Sequence, residues 1–242
     1  MIYIEQPPFL PWLGFCEALV ACSTVALYDD VAYSERGWQN RNRIKTPNGV
    51  AWVTVPVVRN SGQLIRDVRI AEVFRPQQTL KSLRTAYGRS PYAEEVLQVI
   101  APPLVQNTRW LADLNIGLVT QIATALGSRA HLVLTSQLRI QAADGKSEWI
   151  ARICAHAQEK ELWAGSGTRR YLDTGALAQQ QIAVAWNEFA DRHPHYAQAW
   201  PQQGFVPGLS VVDAACALGW AGLAAMLRSG YTAYRTATGG PQ

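Results

Sequence analysis

Cysteine is scarce in this 242-residue chain: Cys16, Cys22, Cys154 and Cys216 form no C-x-x-C pair and sit beside no histidine pair. A structural zinc site and a disulfide framework are thereby excluded, and free buried thiols are expected. Lysine is also rare, at Lys45, Lys81, Lys146 and Lys160, so the formal charge of +4 and the pI near 9.0 rest on arginine. An arginine bias suits phosphate or carboxylate recognition, although codon composition explains it as easily. No Lys/Arg block with interleaved aromatics is present, so nucleic acid is not an expected partner. Absent too are the GxxxxGK[ST] loop, the GxGxxG fingerprint and the G-x-S-x-G elbow, which leaves no P-loop and no serine-hydrolase triad to assemble.

A basic, apolar signal peptide is missing at the start, where Pro7, Pro8 and Pro11 interrupt the first apolar stretch and Glu5 and Glu17 flank it. A cytoplasmic protein is expected. The longest apolar run, Phe205 to Leu227, contains Pro207, Gly208, Ser210, Asp213, Gly219 and Gly222. It reads as two buried helices and not as a membrane span, because a mid-run Asp is costly in lipid.

What is present is the alternation of an α/β protein. Met1–Gln6 reads as a strand stopped by a proline pair, and a helix follows from Pro11 to Ser23-Thr24. Thr24–Tyr28 is a short apolar strand closed by Asp29-Asp30, completing a βαβ unit. A small β insertion is expected near residues 35–70. It carries a polar loop dense in Asn and Arg, an Asn48-Gly49 turn, a strand over Val50–Val58 and a possible pairing strand at Asp67–Ile70. Helices are expected over Leu80–Tyr87 and Tyr92–Ile100, then a long one after Pro102-Pro103 ending at Gly127. Strands at His131–Thr135, Glu161–Ala164 and Ile182–Trp186 alternate with helices near Lys146–Ala157 and Gly175–Gln181. The expected fold is one α/β domain over residues 1–242, with a mostly parallel, Rossmann-like sheet, flanking helices and a helical C-terminal segment.

Several constellations carry chemistry. Trp38, Gln39, Asn40, Arg41, Asn42 and Arg43 put amide and guanidinium donors beside a ring, as a clamp for a phosphate or carboxylate would need; a loop satisfying its own backbone is the plain alternative. Asp29 and Asp30 end a strand at the carboxyl edge of the sheet, where they would hold a divalent ion, orient an amine or act as general base, or simply cap a helix or pair with a nearby Arg. Gly165, Ser166 and Gly167 follow a strand and expose N–H groups to an anion, unless they form only a turn. His193 with Tyr196 three residues on makes a proton shuttle or a packing element. Thr135-Ser136 at a strand end is similar to the Ser/Thr element of class I nucleotidyltransferases, but the His-x-x-His of those enzymes is absent near Gln6.

The elements Gln6-Pro7, Pro11-Trp12-Leu13-Gly14-Phe15, Asp29-Asp30-Val31 and Trp38-Gln39-Asn40-Arg41-Asn42-Arg43-Ile44 resemble the signature of WbqC-like proteins. So, in the same order, do Tyr87 with Arg89 and Pro91-Tyr92, Thr135-Ser136-Gln137-Leu138, Gly145-Lys146, Gly165-Ser166-Gly167 and Tyr171-Leu172-Asp173. His193-Pro194, Tyr196, Gln198, Phe205–Ser210 and Asp213 complete the match over nearly the whole chain. Two positions depart: Cys16 stands where members carry an aromatic residue, and Thr135 replaces a serine. The genes of such proteins lie among those for O-antigen and natural-product biosynthesis. The resemblance therefore implies an enzyme acting on an activated sugar or amino-acid derivative, and with the Asn/Arg loop it points to a transferase or amide-forming ligase that moves an acyl or aminoacyl group from an activated small molecule to an amino sugar or amino acid. Asp30, His193 and Tyr196 would be catalytic. Gln6, Trp12, Asp29, Trp38 to Arg43, Ser136, Lys146, Gly165 to Gly167 and Tyr171 would bind substrate. An anionic or nucleotide-linked small molecule is the expected partner, with a carrier protein also open; no metal site is expected and no cofactor is identified. The alternatives are a noncatalytic carrier for a phosphorylated intermediate and a nucleotidyltransferase-like enzyme.

Overall fold

The computed structural model describes residues 1–140, 143 and 145–239. Five strands form an all-parallel central sheet: β1 (Ile2–Glu5), β2 (Thr24–Leu27), β7 (His131–Leu134), β8 (Glu161–Gly165) and β9 (Ala183–Asn187), in the order β7-β2-β1-β8-β9. Each is a short apolar run, as strands covered on both faces should be. The chain runs outward from β1 through β2 to β7, then crosses to β8 and outward again to β9. This is the Rossmann-like order, whose reversal falls between β1 and β8.

Helices cover both faces. On one, α1 (Leu13–Ala21), α3 (Ala93–Val105), α4 (Leu111–Ala125) and α7 (Val211–Thr238) build the larger core around Tyr3, Phe15, Val25, Leu27 and Trp163. On the other, α5 (Lys146–His156) and α6 (Thr174–Gln179) pack on Ile2, Ala26, Leu162 and Ala164. The C-terminal apolar run is indeed two helical pieces: α7 breaks at Gly219, whose φ of 69° and ψ of 164° are not helical. A Cβ there would lie 2.9 Å from the Tyr92 ring, so glycine permits both the turn and the contact. By length and mean hydropathy (1.4) α7 is apolar enough to cross a membrane, yet 61% of its apolar window is buried inside the fold.

Between β2 and β7 lies the insertion. β3 (Arg41–Thr46) and β4 (Gly49–Thr54) form a hairpin around Pro47-Asn48, with Gly49 at φ 104°. β5 (Val57–Val58) pairs with β6 (Arg69–Ile70), as the pairing of the Asp67–Ile70 segment anticipated. α2 (Pro76–Tyr87) then packs on β3.

Two expectations need correction. Val50–Val58 is not one strand, since Val55-Pro56 divides β4 from β5. Pro102 and Pro103 do not separate two helices: both lie in the last turns of α3, where Pro103 Cβ meets Gly117 of α4, 3.2 Å from where a Cβ on that glycine would be. Near a C-terminus the lost hydrogen bonds are few, and the ring fills the gap between helices.

Candidate functional site

The carboxyl ends of β1, β2, β7 and β8 meet on one edge of the sheet, and they do so because the strands are parallel and in register, with Ile2 opposite both Thr24 and Leu162. At the reversal between β1 and β8 the neighbouring loops diverge and leave a crevice. A cavity of about 450 Å³ occupies it. Ile4, Leu162, Ala164 and Ile150 supply the apolar lining; Glu5, Gln6, Tyr28, Asp30, Lys146, Thr168 and Tyr171 supply the polar one. A lobe of about 410 Å³ shares Tyr28, Asp30, Leu64 and Lys146 and adds Arg66 and Trp149. Two carboxylates thus open at the sheet edge, and two cations lie toward the outer lobe.

Glu5 is the residue that sequence reasoning missed. It ends β1 on the same face as Tyr3, accepts the Gln6 N–H at 3.0 Å and faces the Tyr3 hydroxyl at 3.5 Å. Burial pushes its carboxyl above the ordinary glutamate value, and the two hydrogen bonds only partly oppose this. Its signal in the sequence was an acidic residue at the end of an otherwise apolar central strand. Tyr171 is raised by burial and by the Glu5 charge, and Tyr28 by burial and by Asp30. The Lys146 ammonium sits 4.8 Å from the centre of the Tyr171 ring.

Asp29 and Asp30 do different things. Asp29 is buried; its Oδ1 accepts the Ser136 N–H at 3.0 Å and its Oδ2 accepts the Ser136 hydroxyl at 2.6 Å. It fastens the end of β7 to the end of β2, which takes both Asp29 and Ser136 out of the cavity lining. Asp30 accepts from the Thr135 hydroxyl at 2.5 Å and still lines both lobes. Gly165 ends β8, and Ser166 and Gly167 start a single tight turn closed by Thr168 Oγ1 donating to Gly165 O at 2.8 Å. This turn reaches the cavity through its flanking residues Ala164 and Thr168.

The Asn/Arg run is not a loop beyond Asn40: Arg41–Thr46 is β3, and most of its polar groups are used on backbone. Asn42 donates to Phe9 O at 3.3 Å and Leu10 O at 2.6 Å, holding the turn in which Leu10 adopts φ 43°. Asn40 donates to Val55 O at 3.0 Å, and Arg43 donates to Gly208 O at 3.0 Å. Arg41 lies 4.2 Å over the Trp52 ring and donates to Arg36 O at 2.7 Å. Only the start of the run reaches the sheet edge. Gln39 donates to Gln6 Oε1, and Trp38, Gln39 and Trp12 line a pocket of about 60 Å³ beside Glu5 and Gln6. The Trp38 ring meets Trp52 at 5.7 Å, and that of Trp12 meets Phe189 at 5.6 Å.

His193 and Tyr196, expected as catalytic, lie elsewhere, and this is the main correction to the site. His193 Nε2 accepts the Gly208 N–H at 3.2 Å while Nδ1 contacts Pro194 O at 3.0 Å, so both ring nitrogens are engaged; burial lowers its pKa. Tyr196 donates to Asp213 Oδ2 at 2.9 Å inside a polar cluster closed off from the cavity. There Lys45, fully buried, donates to Gly204 O at 2.6 Å and Gln198 Oε1 at 3.3 Å, and its backbone N–H donates to the Tyr87 hydroxyl at 2.9 Å. Burial raises the Asp213 carboxyl, against the Tyr196 and Tyr87 hydroxyls and the Lys45 charge. The four thiols are buried and free, and burial pushes Cys154 up to about 12, which makes it a poor nucleophile. Among the described residues no group of three His, Cys, Asp or Glu side chains is placed to hold a metal ion.

A parallel sheet in this order, with a polar cavity at its switch point, defines a Rossmann-like α/β protein with an open cleft at the carboxyl edge. Residues 6–225 match the WbqC-like protein family, and the chain belongs to that family. It is also 31% identical over 215 residues to the uncharacterized protein Rv1507c of Mycobacterium tuberculosis, covering 88% of this chain and 91% of that one. No solved structure matches it.

Proposed function

We propose that the chain is a biosynthetic transferase or amide-forming ligase that joins an acyl or aminoacyl group of an activated small molecule to an amine. The observation that carries this reading is that Glu5, raised by burial, and Asp30 open onto one cavity that also holds Lys146. An acid/base group works best when its pKa approaches the operating pH, and burial moves Glu5 in that direction. Asp30 orients the acceptor amine, present as its neutral free base, by accepting a hydrogen bond from one of its N–H groups. Glu5 takes the proton as the amine nitrogen attacks the activated carbonyl, the new C–N bond forms, and the donor's leaving group departs. Lys146 and Arg66 hold the anionic end of the donor toward the outer lobe, and Tyr28 and Tyr171 offer rings for a sugar or base. A nucleotide-linked donor suits a site at the switch point of a Rossmann-like sheet. A cytoplasmic location belongs to the same proposal, supported by the burial of α7 within the core.

Incubating the purified protein with a panel of acyl and aminoacyl thioesters and nucleotide-linked donors, together with amino sugars and amino acids, tests this by mass spectrometry. A new amide should appear with the wild type and disappear with Glu5→Gln and Asp30→Asn. No product across the panel, or undiminished product from both variants, would sink the proposal.

A further inference from the structure

On the insertion, sharing no lining residue with the cleft, lies a second feature whose geometry is set by the β3–β4 hairpin. Its loop is the two residues Pro47-Asn48, so Thr46 and Gly49 form the first hydrogen-bonded pair, and Ile44–Ala51 and Asn42–Val53 follow at alternate positions. The intervening residues of β4, Val50, Trp52 and Thr54, therefore aim their N–H and C=O groups away from β3. Among the described residues nothing bonds them: β4 pairs with β3 alone, and Val50 and Trp52 are 45% and 47% exposed.

Beside this edge, reaching Ile44 and Thr46 of β3, runs a groove of about 490 Å³, walled across from the hairpin by Val73, Phe74 and α2. Its lining is apolar at Trp52 and Val73 and includes two charged side chains, Arg75 and Lys81, both cationic and exposed. Neither forms an ion pair among the described residues. Cations on an edge strand also serve to repel unwanted pairing. A second copy of the chain approaching through the same edge would bring Arg75 and Lys81 against Arg75 and Lys81, so self-pairing is opposed while an anionic strand is favoured.

We propose that the open edge of β4 docks an extended acidic segment of a partner protein, which adds as a third strand. The backbone of Val50, Trp52 and Thr54 supplies the ladder. Arg75 and Lys81 select carboxylates on alternate side chains, and Trp52 and Val73 accept the apolar residues between them.

A fluorescein-labelled peptide alternating valine and glutamate, titrated against the full chain and followed by anisotropy, tests this. Saturable binding is expected, weaker by about tenfold in the Arg75→Glu, Lys81→Glu double variant, whose exposed positions leave folding intact by circular dichroism, and weaker at raised salt. Amide exchange should slow at Val50, Trp52 and Thr54 and stay unchanged at Ala51, which already bonds β3. The proposal is overturned if the wild type does not bind, if charge reversal leaves affinity unchanged, or if protection appears away from β4. It is overturned as well if sedimentation shows a dimer that closes this edge.

Discussion

The molecule contains two polar clusters built from the same kinds of residue, and they differ in where their hydrogen bonds end. Around Asp213, the groups of Lys45, Tyr87, Tyr196 and Gln198 terminate on one another or on the carbonyls of Gly204 and Val206. At the sheet edge, Glu5, Asp30, Lys146 and Tyr171 terminate on a cavity. The first cluster joins the insertion hairpin to the start of α7 and the segment before it. The second is free to meet a ligand. Matching a family motif does not distinguish them; whether a group faces protein or an open cavity does.

Variants can break this contrast. The largest effect should come from Asp213→Ala, which leaves the Tyr196 hydroxyl without its buried acceptor. Such an orphan costs about 1–3 kcal/mol, so urea denaturation should show a loss of that order, with activity per folded molecule retained. At the open cluster the outcome should reverse. Glu5→Gln should lower the amide-forming rate by about a hundredfold or more, the usual worth of a general acid or base, without loss of stability.

A pH series sharpens the same comparison. Because the folded carboxyl of Glu5 titrates above its ordinary value, its contribution to stability is fully present in acid, below the unfolded value. That contribution is lost as pH rises through the raised folded value. Glu5→Gln should therefore match the wild type in acid and melt higher than it near neutrality; a wild type that gains stability relative to the variant on going to neutral pH would refute the assignment.

Smaller effects follow. Gly219→Ala forces a side chain onto φ 69° and against Tyr92, and calorimetry should report about 1–3 kcal/mol of destabilisation. Arg41→Ala should cost only about 0.5–1 kcal/mol, the value of an exposed cation–π contact, and leave turnover and substrate affinity unchanged. An anion-binding Arg41 would instead raise KM.

Much of the fold was legible because short apolar runs ended in polar pairs: Glu5-Gln6, Asp29-Asp30 and Thr135-Ser136 mark strand ends directly. Gly219 likewise announced the break in the C-terminal helix. The site was legible only in part. Composition shows that Asn40, Asn42 and Arg43 can donate hydrogen bonds, but not that carbonyls of Val55, Phe9, Leu10 and Gly208 come from distant segments to receive them. Glu5 was hidden for the opposite reason. A single acid closing an apolar strand marks the strand's end but not a role, which it gains only once β8 lies beside β1. Pro102-Pro103 read as a breaker because the contact that accommodates it, with Gly117, lies across a helix pair.

The placement of β7 beside β2 bears on how the chain acquires this structure. Thr24 to Leu27 pair with His131 to Leu134, yet β3 through α4 must be made between them, and β1 gains its second neighbour only when β8 follows. The β1–β2 ladder closes over α1 alone, whereas the ladders to β7 and β8 need much longer loops, which makes completion of the sheet a late step. Until then the outer edges of the β1–β2 pair stay unpaired, the kind of exposure that makes folding intermediates prone to aggregate.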